Sequence, residues 1–157
     1  MRLYLDIDGV ITADPGSVPG VRTFHVGQAI VDWIPELFYP LVEKFDVVWA
    51  TSWILYPEML DELEHVFDVK FPRVDLNKGE YFLNYSDVSC GKLPAVQRHY
   101  EADPAEFLWI DDHAGPTDQA WATSEGGKML IPDYYLGGAY AMMLEDDWEP
   151  DLWEAWA

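Results

Sequence analysis

The sequence predicts an α/β fold, a three-layer α/β/α sandwich on a mostly parallel sheet. Three observations predict it. Short apolar runs at residues 2–7, 46–50, 107–110 and 128–131 alternate with stretches of helical periodicity. Strands separated by helices pair in parallel, because the crossover returns the chain to the same end of the sheet. The runs at 2–7 and 107–110 end in acids, Asp6-Ile7-Asp8 and Asp111-Asp112, so these would gather at one sheet edge, where ligands of such sheets bind. The 157 residues suit a single domain that buries roughly 70% of the surface its unfolded chain exposes. Its core is expected over about residues 1–135, followed by an acidic, tryptophan-bearing segment over about 136–157.

Each element has its own signal. Residues 2–7 read as the first strand. Pro15, Gly16, Pro19 and Gly20 make 13–26 a long loop, with room for a small hairpin around 21–26. Ile30, Ile34, Leu37, Leu41 and Phe45 recur at spacings of three and four, which predicts a helix over 28–45, broken or kinked by Pro35 and Pro40. Residues 46–50 read as the second strand. Pro57 opens a helix with an apolar stripe of Met59, Leu60, Leu63 and Phe67. A third strand is expected at 69–76, although it contains Pro72, and 77–91 reads as a polar loop. Pro94 lies in the first turn of a helix running to about Glu101. Residues 107–110 form a strand, 117–124 a short helix stopped at Gly126-Gly127, and 128–131 the last strand. Residues 138–147 and the tail read as helical or irregular. The whole is a Rossmann-like pattern, with no second-domain linker.

Composition narrows the function. A hydrophobic content of 50% argues against disorder. No apolar run approaches the ~18 residues that span a bilayer, and Asp6 and Asp8 interrupt what would be the core of a signal peptide. The lone Cys90 excludes an internal disulfide and a cysteine-based zinc cluster. A cytoplasmic protein without a membrane partner is expected. The net charge of -20 repels polyanions and disfavours a nucleic-acid partner, yet it is compatible with a phosphorylated substrate held by a local cation and one lysine.

Four elements occur in order: Asp6-x-Asp8-Gly9; Thr51-Ser52 after an apolar strand; Lys92 opening a helix; and Asp111-Asp112 after another strand. This order resembles the haloacid dehalogenase-like (HAD) superfamily of phosphohydrolases. Trp49-Ala50-Thr51-Ser52-Trp53 and Trp109-Ile110-Asp111-Asp112 are similar to the small HAD-like domains of Swiss-Army-knife RNA repair proteins. The resemblance covers residues 1 to about 135.

The chemistry suits these residue types. A carboxylate can attack phosphorus to give an aspartyl-phosphate, dividing one hard step into two, and Asp6 at the strand end is the candidate nucleophile. Asp8 is placed to protonate the leaving oxygen and then to activate water. Mg²⁺, a hard cation held by one or two carboxylates plus phosphate oxygens and waters, relieves the repulsion between carboxylate and phosphate. Asp6 and Asp111 would be its carboxylate ligands. The resemblance adds the main-chain carbonyl of Asp8, and Asp112 directly or through water. Thr51 or Ser52 would donate to the phosphoryl oxygens, with Thr51 favoured by position, and Lys92 would neutralise their charge; Lys78, beside Gly79, is its rival.

Plain structural alternatives accompany these roles. Asp6 and Asp8 can be solvated turn acids, Asp111-Asp112 or Thr51/Ser52 can be helix N-caps, and Lys92 can be a surface lysine. His113 is a substrate or proton-transfer candidate or a rim residue. His25, His65 and His99 read as structural or surface residues, and Cys90 as a packed thiol. Trp33, Trp49 and Trp109 read as core, and Trp53 as a lining of the cleft mouth. Trp148, Trp153 and Trp156 read as a packed tail or a partner-docking surface. Residues 9–46 and 53–92 are too short for a large cap domain, so an open site and a large substrate, such as a polymer end or a protein, are expected. Arg22 is the only cation of the 13–26 loop, which can serve as a small flap. The function expected is a Mg²⁺-dependent phosphohydrolase acting on a phosphomonoester through an aspartyl-phosphate. The alternatives are a catalytically silent HAD-like binding or regulatory module and a nucleic-acid end-repair phosphatase.

Overall fold

The computed structural model describes residues 1–17, 20–134 and 138. In chain order the elements are β1 (Arg2–Leu5), β2 (Arg22–Val26), β3 (Ala29–Trp33), α1 (Pro35–Lys44), β4 (Asp46–Trp49), a 3-10 turn (Ser52–Leu55), α2 (Pro57–Phe67) and α3 (Lys78–Asn84). They continue with β5 (Tyr85–Ser86), β6 (Ser89–Cys90), α4 (Leu93–Ala102), β7 (Phe107–Ile110), α5 (Pro116–Ser124) and β8 (Lys128–Leu130). The fold is α/β. Four strands form a parallel sheet in the order β4-β1-β7-β8. Helices α1, α2, α4 and α5 all carry proline in their first two positions, where its missing N–H forfeits no helical bond.

Strands β1, β4 and β7 are buried on both faces, which explains their continuous apolar runs. Leu3 and Leu5 of β1, Val47 and Trp49 of β4, and Leu108 and Ile110 of β7 join one apolar cluster with Phe38 and Leu41 of α1 and Leu60, Leu63 and Phe67 of α2. Alternate residues Tyr4, Val48, Phe107 and Trp109 join a second cluster with Leu93, Ala95 and Val96 of α4 and Ala122 of α5. The period-two alternation of side chains thus assigns each strand residue to one cluster or the other. Phe67 stacks on Trp33 at 4.2 Å and meets Phe38 at 4.7 Å, tying both helices to the hairpin.

The parallel register positions the site. Leu5 lies opposite both Trp49 and Ile110, so β1, β4 and β7 end level with one another. Hydrogen bonds from Asp6 N to Ile110 O (3.1 Å) and from Asp111 N to Leu130 O (3.1 Å) carry the pairing one residue further. Asp6 and Asp111 therefore leave the sheet as neighbours.

Three expected elements are corrected. Residues 28–45 are not one helix: 29–33 form β3, antiparallel to β2, and the helix starts only at Pro35. Proline fits the first helical turn but not its interior, and Val31 and Trp33 point inward while Ile30 points out, the alternation of a strand. Pro40 is nevertheless contained within α1. The strand expected at 69–76 shrinks to a single parallel bridge between Trp49 and Arg73, because Pro72 can accept from Trp49 N (2.8 Å) but has no N–H to extend a ladder. The polar loop at 77–91 holds α3, capped by Asn77 Oδ1 accepting from Glu80 N (2.8 Å), and the β5–β6 hairpin. The helical or irregular stretch expected at 138–147, and Trp148, Trp153 and Trp156, lie outside the described residues, Gly138 apart. No helix among the described residues is long and apolar enough to cross a membrane.

Candidate active site

The site begins in the turn after β1. Val10, Ile11 and Thr12 N–H groups all donate to Ile7 O, and Gly9 N donates to Thr12 Oγ1 at 2.8 Å. Gly9 has φ +71°, and a Cβ there would lie 2.1 Å from Asp112 Oδ2. Only glycine lets this turn approach the second acidic pair so closely.

Lys92 is the hub. Its Nζ lies 2.8 Å from Asp6 Oδ2 and 2.7 Å from Asp111 Oδ2, and all three side chains are buried. Gly91, at φ +82°, turns the chain into α4 and delivers Lys92 inward; a Cβ on it would meet Tyr81 O at 2.7 Å. The other oxygens of the two acids are held by backbone. Asp6 Oδ1 accepts from Ile7 N (2.8 Å), and Asp111 Oδ1 accepts from His113 N (2.9 Å). Asp6, Asp111 and Asp112 each offer a carboxylate oxygen within 4.8 Å of the others.

Charge in this cluster is not balanced. Burial alone would lower the Lys92 pKa, but Asp111 and Asp6 outweigh it and hold the ammonium well above its ordinary value. Burial, reinforced by Asp6, raises the Asp111 carboxyl to about 6 despite Lys92. Asp112 is pushed up to about 8, by burial first and then by Asp6 and Asp111. Its Oδ1 is buried without a hydrogen-bond partner among the described residues, and His113 Nε2 lies 3.7 Å from its Oδ2. Three convergent hard-oxygen donors, one of them orphaned, fit a small divalent cation.

Asp8 stands at the solvent side of the turn. Water reaches it, yet the protein crowding around it raises its carboxyl pKa, Asp6 adds to the rise, and a 3.0 Å bond from Trp53 Nε1 to its Oδ2 offsets part. Its side chain is not one of the three gathered donors. A cleft of about 580 Å³ opens in front, lined by Asp8, Asp32, Asp112 and Asp133 together with His113 and Tyr134.

The remaining candidates fall in different places. Thr51 is fully buried one residue beyond the level of Asp6, and its Oγ1 accepts from Trp53 N at 3.3 Å. It therefore caps the 3-10 turn, while its O–H can still donate. Ser52 is half-buried and lines a smaller groove beside Asp8. Lys78 is exposed at the start of α3, so Lys92 is the lysine brought to the aspartates. The aspartate pair does not cap α5, whose cap position is Gly115. His113 is exposed on the cleft rim, with its ring 6.2 Å from Tyr85. Cys90 is buried, and burial pushes its thiol far up, so it stays protonated. Trp33, Trp49 and Trp109 are buried, and the His99 ring packs edge-on against Tyr4.

One residue of this region escaped sequence reasoning. Asp118, fully buried in the first turn of α5, accepts from Ser89 Oγ (2.7 Å), Cys90 N (2.8 Å) and Gly115 N (2.8 Å). It fixes the segment that leads into Lys92. An acid at the third position of a proline-initiated helix was its only signal. Trp53, expected at the cleft mouth, lines the groove beside Asp8 and also donates to it. No family model, curated protein or solved structure matches this chain.

Proposed function

We propose that the protein is a Mg²⁺-dependent phosphohydrolase that cleaves a phosphomonoester through a phosphorylated Asp6. The reading includes a three-layer, Rossmann-like organisation of the two apolar clusters about the sheet, and the HAD-like order of motifs. One observation carries it. Asp6 and Asp111 emerge side by side, share Lys92, and each bring a carboxylate oxygen within 4.8 Å of one from Asp112, a residue whose Oδ1 is buried without a partner among the described residues.

Asp6, Asp111 and Asp112 would hold Mg²⁺, with the main-chain carbonyl of Asp8 as a further donor. The ion supplies positive charge to the phosphoryl oxygens and offsets the repulsion between two anions. A carboxylate oxygen of Asp6 attacks phosphorus and the bond to the leaving oxygen breaks. Asp8, whose raised pKa favours the protonated acid, gives its proton to that oxygen and releases an alcohol. Asp8 then takes a proton from water as the water oxygen attacks the same phosphorus. The bond to Asp6 breaks, inorganic phosphate departs, and Asp8 is protonated again. Lys92 remains charged throughout and compensates the negative charge gathered at Asp6. Thr51 O–H stands at the strand ends, one residue beyond the level of Asp6, with Ser52 at the side of the groove.

The test is hydrolysis of a generic aryl phosphate with and without Mg²⁺, by the native protein and by Asp6→Asn. The expected result is metal-dependent release of phosphate that the substitution removes. Turnover that survives Asp6→Asn rejects Asp6 as nucleophile.

A further inference from the structure

We propose that the group released from phosphorus is an apolar, ring-sized alcohol, seated in the groove formed by Ala29 and Ile30 of β3 and by Ser52, Trp53, Tyr56 and Met59 beyond β4. This rests on the phosphate site just described and names the class of substrate it takes.

The groove has a volume of about 330 Å³. It meets the acidic cleft at Asp8 and Ile30, which line both. Asp8 protonates the leaving oxygen, so the leaving group lies on the Asp8 side of the phosphorus. Two surfaces are offered there. The cleft presents Asp8, Asp32, Asp112 and Asp133, with no lysine or arginine among its described lining residues. Asp8 and Asp112 are engaged as the proton donor and a metal ligand, but a leaving group that carries further phosphates or carboxylates is still disfavoured beside Asp32 and Asp133. Among the described residues, Asp8 is the only charged one lining the groove, which is otherwise apolar apart from two hydroxyls, on Ser52 and Tyr56.

The groove walls are suited to a ring. Ile30 is 64% and Tyr56 52% exposed, so two large side chains that gain from being covered stand at its rim. The Trp53 indole is held by its 3.0 Å bond to Asp8, so the wall and the proton donor are fixed to one another. An occupant of this wall therefore has its hydroxyl end directed to the acid that must protonate it.

The experiment compares benzyl phosphate with glycerol phosphate, both esters of simple alcohols, in the presence of Mg²⁺. Benzylphosphonate and methylphosphonate, which cannot be hydrolysed, are compared by calorimetry on the same protein. The expected kcat/KM ratio and the expected affinity ratio each favour the benzyl compound by about tenfold, the order a ring-sized apolar contact supplies. Ile30→Ala and Tyr56→Ala alter exposed side chains, so the fold tolerates them. Each is expected to lower both ratios by about threefold. Equal cleavage of the two esters, or faster cleavage of a phosphorylated oligonucleotide end than of benzyl phosphate, overturns the groove assignment and leaves the phosphohydrolase standing. Tighter binding of benzylphosphonate without turnover of any ester keeps the groove and removes the hydrolytic step. Absence of both binding and turnover overturns both.

Discussion

Two sets of buried carboxylates in this protein live under opposite conditions. Asp118 is fully buried and accepts three hydrogen bonds, from Ser89 Oγ, Cys90 N and Gly115 N. Glu64, almost as buried, accepts from Phe71 N at 2.8 Å, Trp49 Nε1 at 3.4 Å and Arg73. Asp6 and Asp111 instead share a single ammonium, Asp112 keeps an oxygen without a partner among the described residues, and Asp111 and Asp112 hold their protons above the usual carboxylate range. Acids that the chain satisfies by itself pin elements together. Acids that it gathers but leaves unsatisfied await a charge from outside.

The contrast can be broken by substitution, and the largest effect is expected at Asp6. Asp6→Asn keeps the shape and one acceptor but removes the nucleophile. Turnover of the aryl phosphate should fall by more than about a thousandfold, while the circular dichroism spectrum and melting temperature stay close to native. A comparable loss of fold would move Asp6 into the architectural set.

Asp118→Ala should behave in the reverse way. It leaves the N–H groups of Cys90 and Gly115 buried without acceptors, at about 1–3 kcal/mol each. Denaturant unfolding should show a loss of about 3 kcal/mol. The activity that remains in the folded fraction should fall only through displacement of Lys92. A variant as stable as the native protein would show that the three bonds are not holding that segment.

Gly9→Ala lies between the two sets. The new methyl group collides with Asp112 Oδ2 and must live at φ +71°. A loss of about 1–2 kcal/mol is expected from the backbone alone, together with weakened Mg²⁺ binding as Asp112 is pushed aside. Unchanged Mg²⁺ affinity in a folded Gly9→Ala protein would separate this turn from the metal site.

The smallest effect carries the most telling sign. A carboxyl whose folded pKa lies above its unfolded value, about 3.9 for aspartate, holds its proton more tightly in the fold. Its stabilising contribution is complete below about pH 4 and is lost as the pH climbs through the folded pKa, here about 6 for Asp111 and about 8 for Asp112. The metal-free protein should therefore lose stability across that window. Asp112→Asn, which carries no proton to lose, should flatten the decline and stabilise the metal-free protein at pH 8 by about 1 kcal/mol. A destabilised Asp112→Asn protein would mean that Asp112 belongs with Asp118.

Much of this was legible in the sequence, for physical reasons that differ from residue to residue. The strands β1, β4 and β7 announce themselves because burial on both faces demands unbroken apolar runs such as Phe107-Leu108-Trp109-Ile110. Asp6 and Asp111 could be placed side by side because parallel strands end at one edge. The β2–β3 hairpin was obscured because Ile30 and Ile34 mimic helical spacing; only pairing with β2 reveals that Ile30 faces outward. The choice of Lys92 over Lys78 hung on a left-handed Gly91 whose necessity shows only against Tyr81 O, a contact across ten residues of chain. The role of Asp118 was hidden altogether, since its partners Ser89 and Cys90 stand 29 and 28 residues away.

The central claim, that the gathered acids lack a cation, is tested most directly by titrating Mg²⁺ into the native protein at pH 7 by calorimetry in buffers of different ionisation heat. With Asp112 titrating at about 8, binding of one ion should release about one proton, and Asp112→Asn should weaken binding and abolish the release. Failure to bind Mg²⁺, or binding that Asp112→Asn leaves unaltered, would contradict the account.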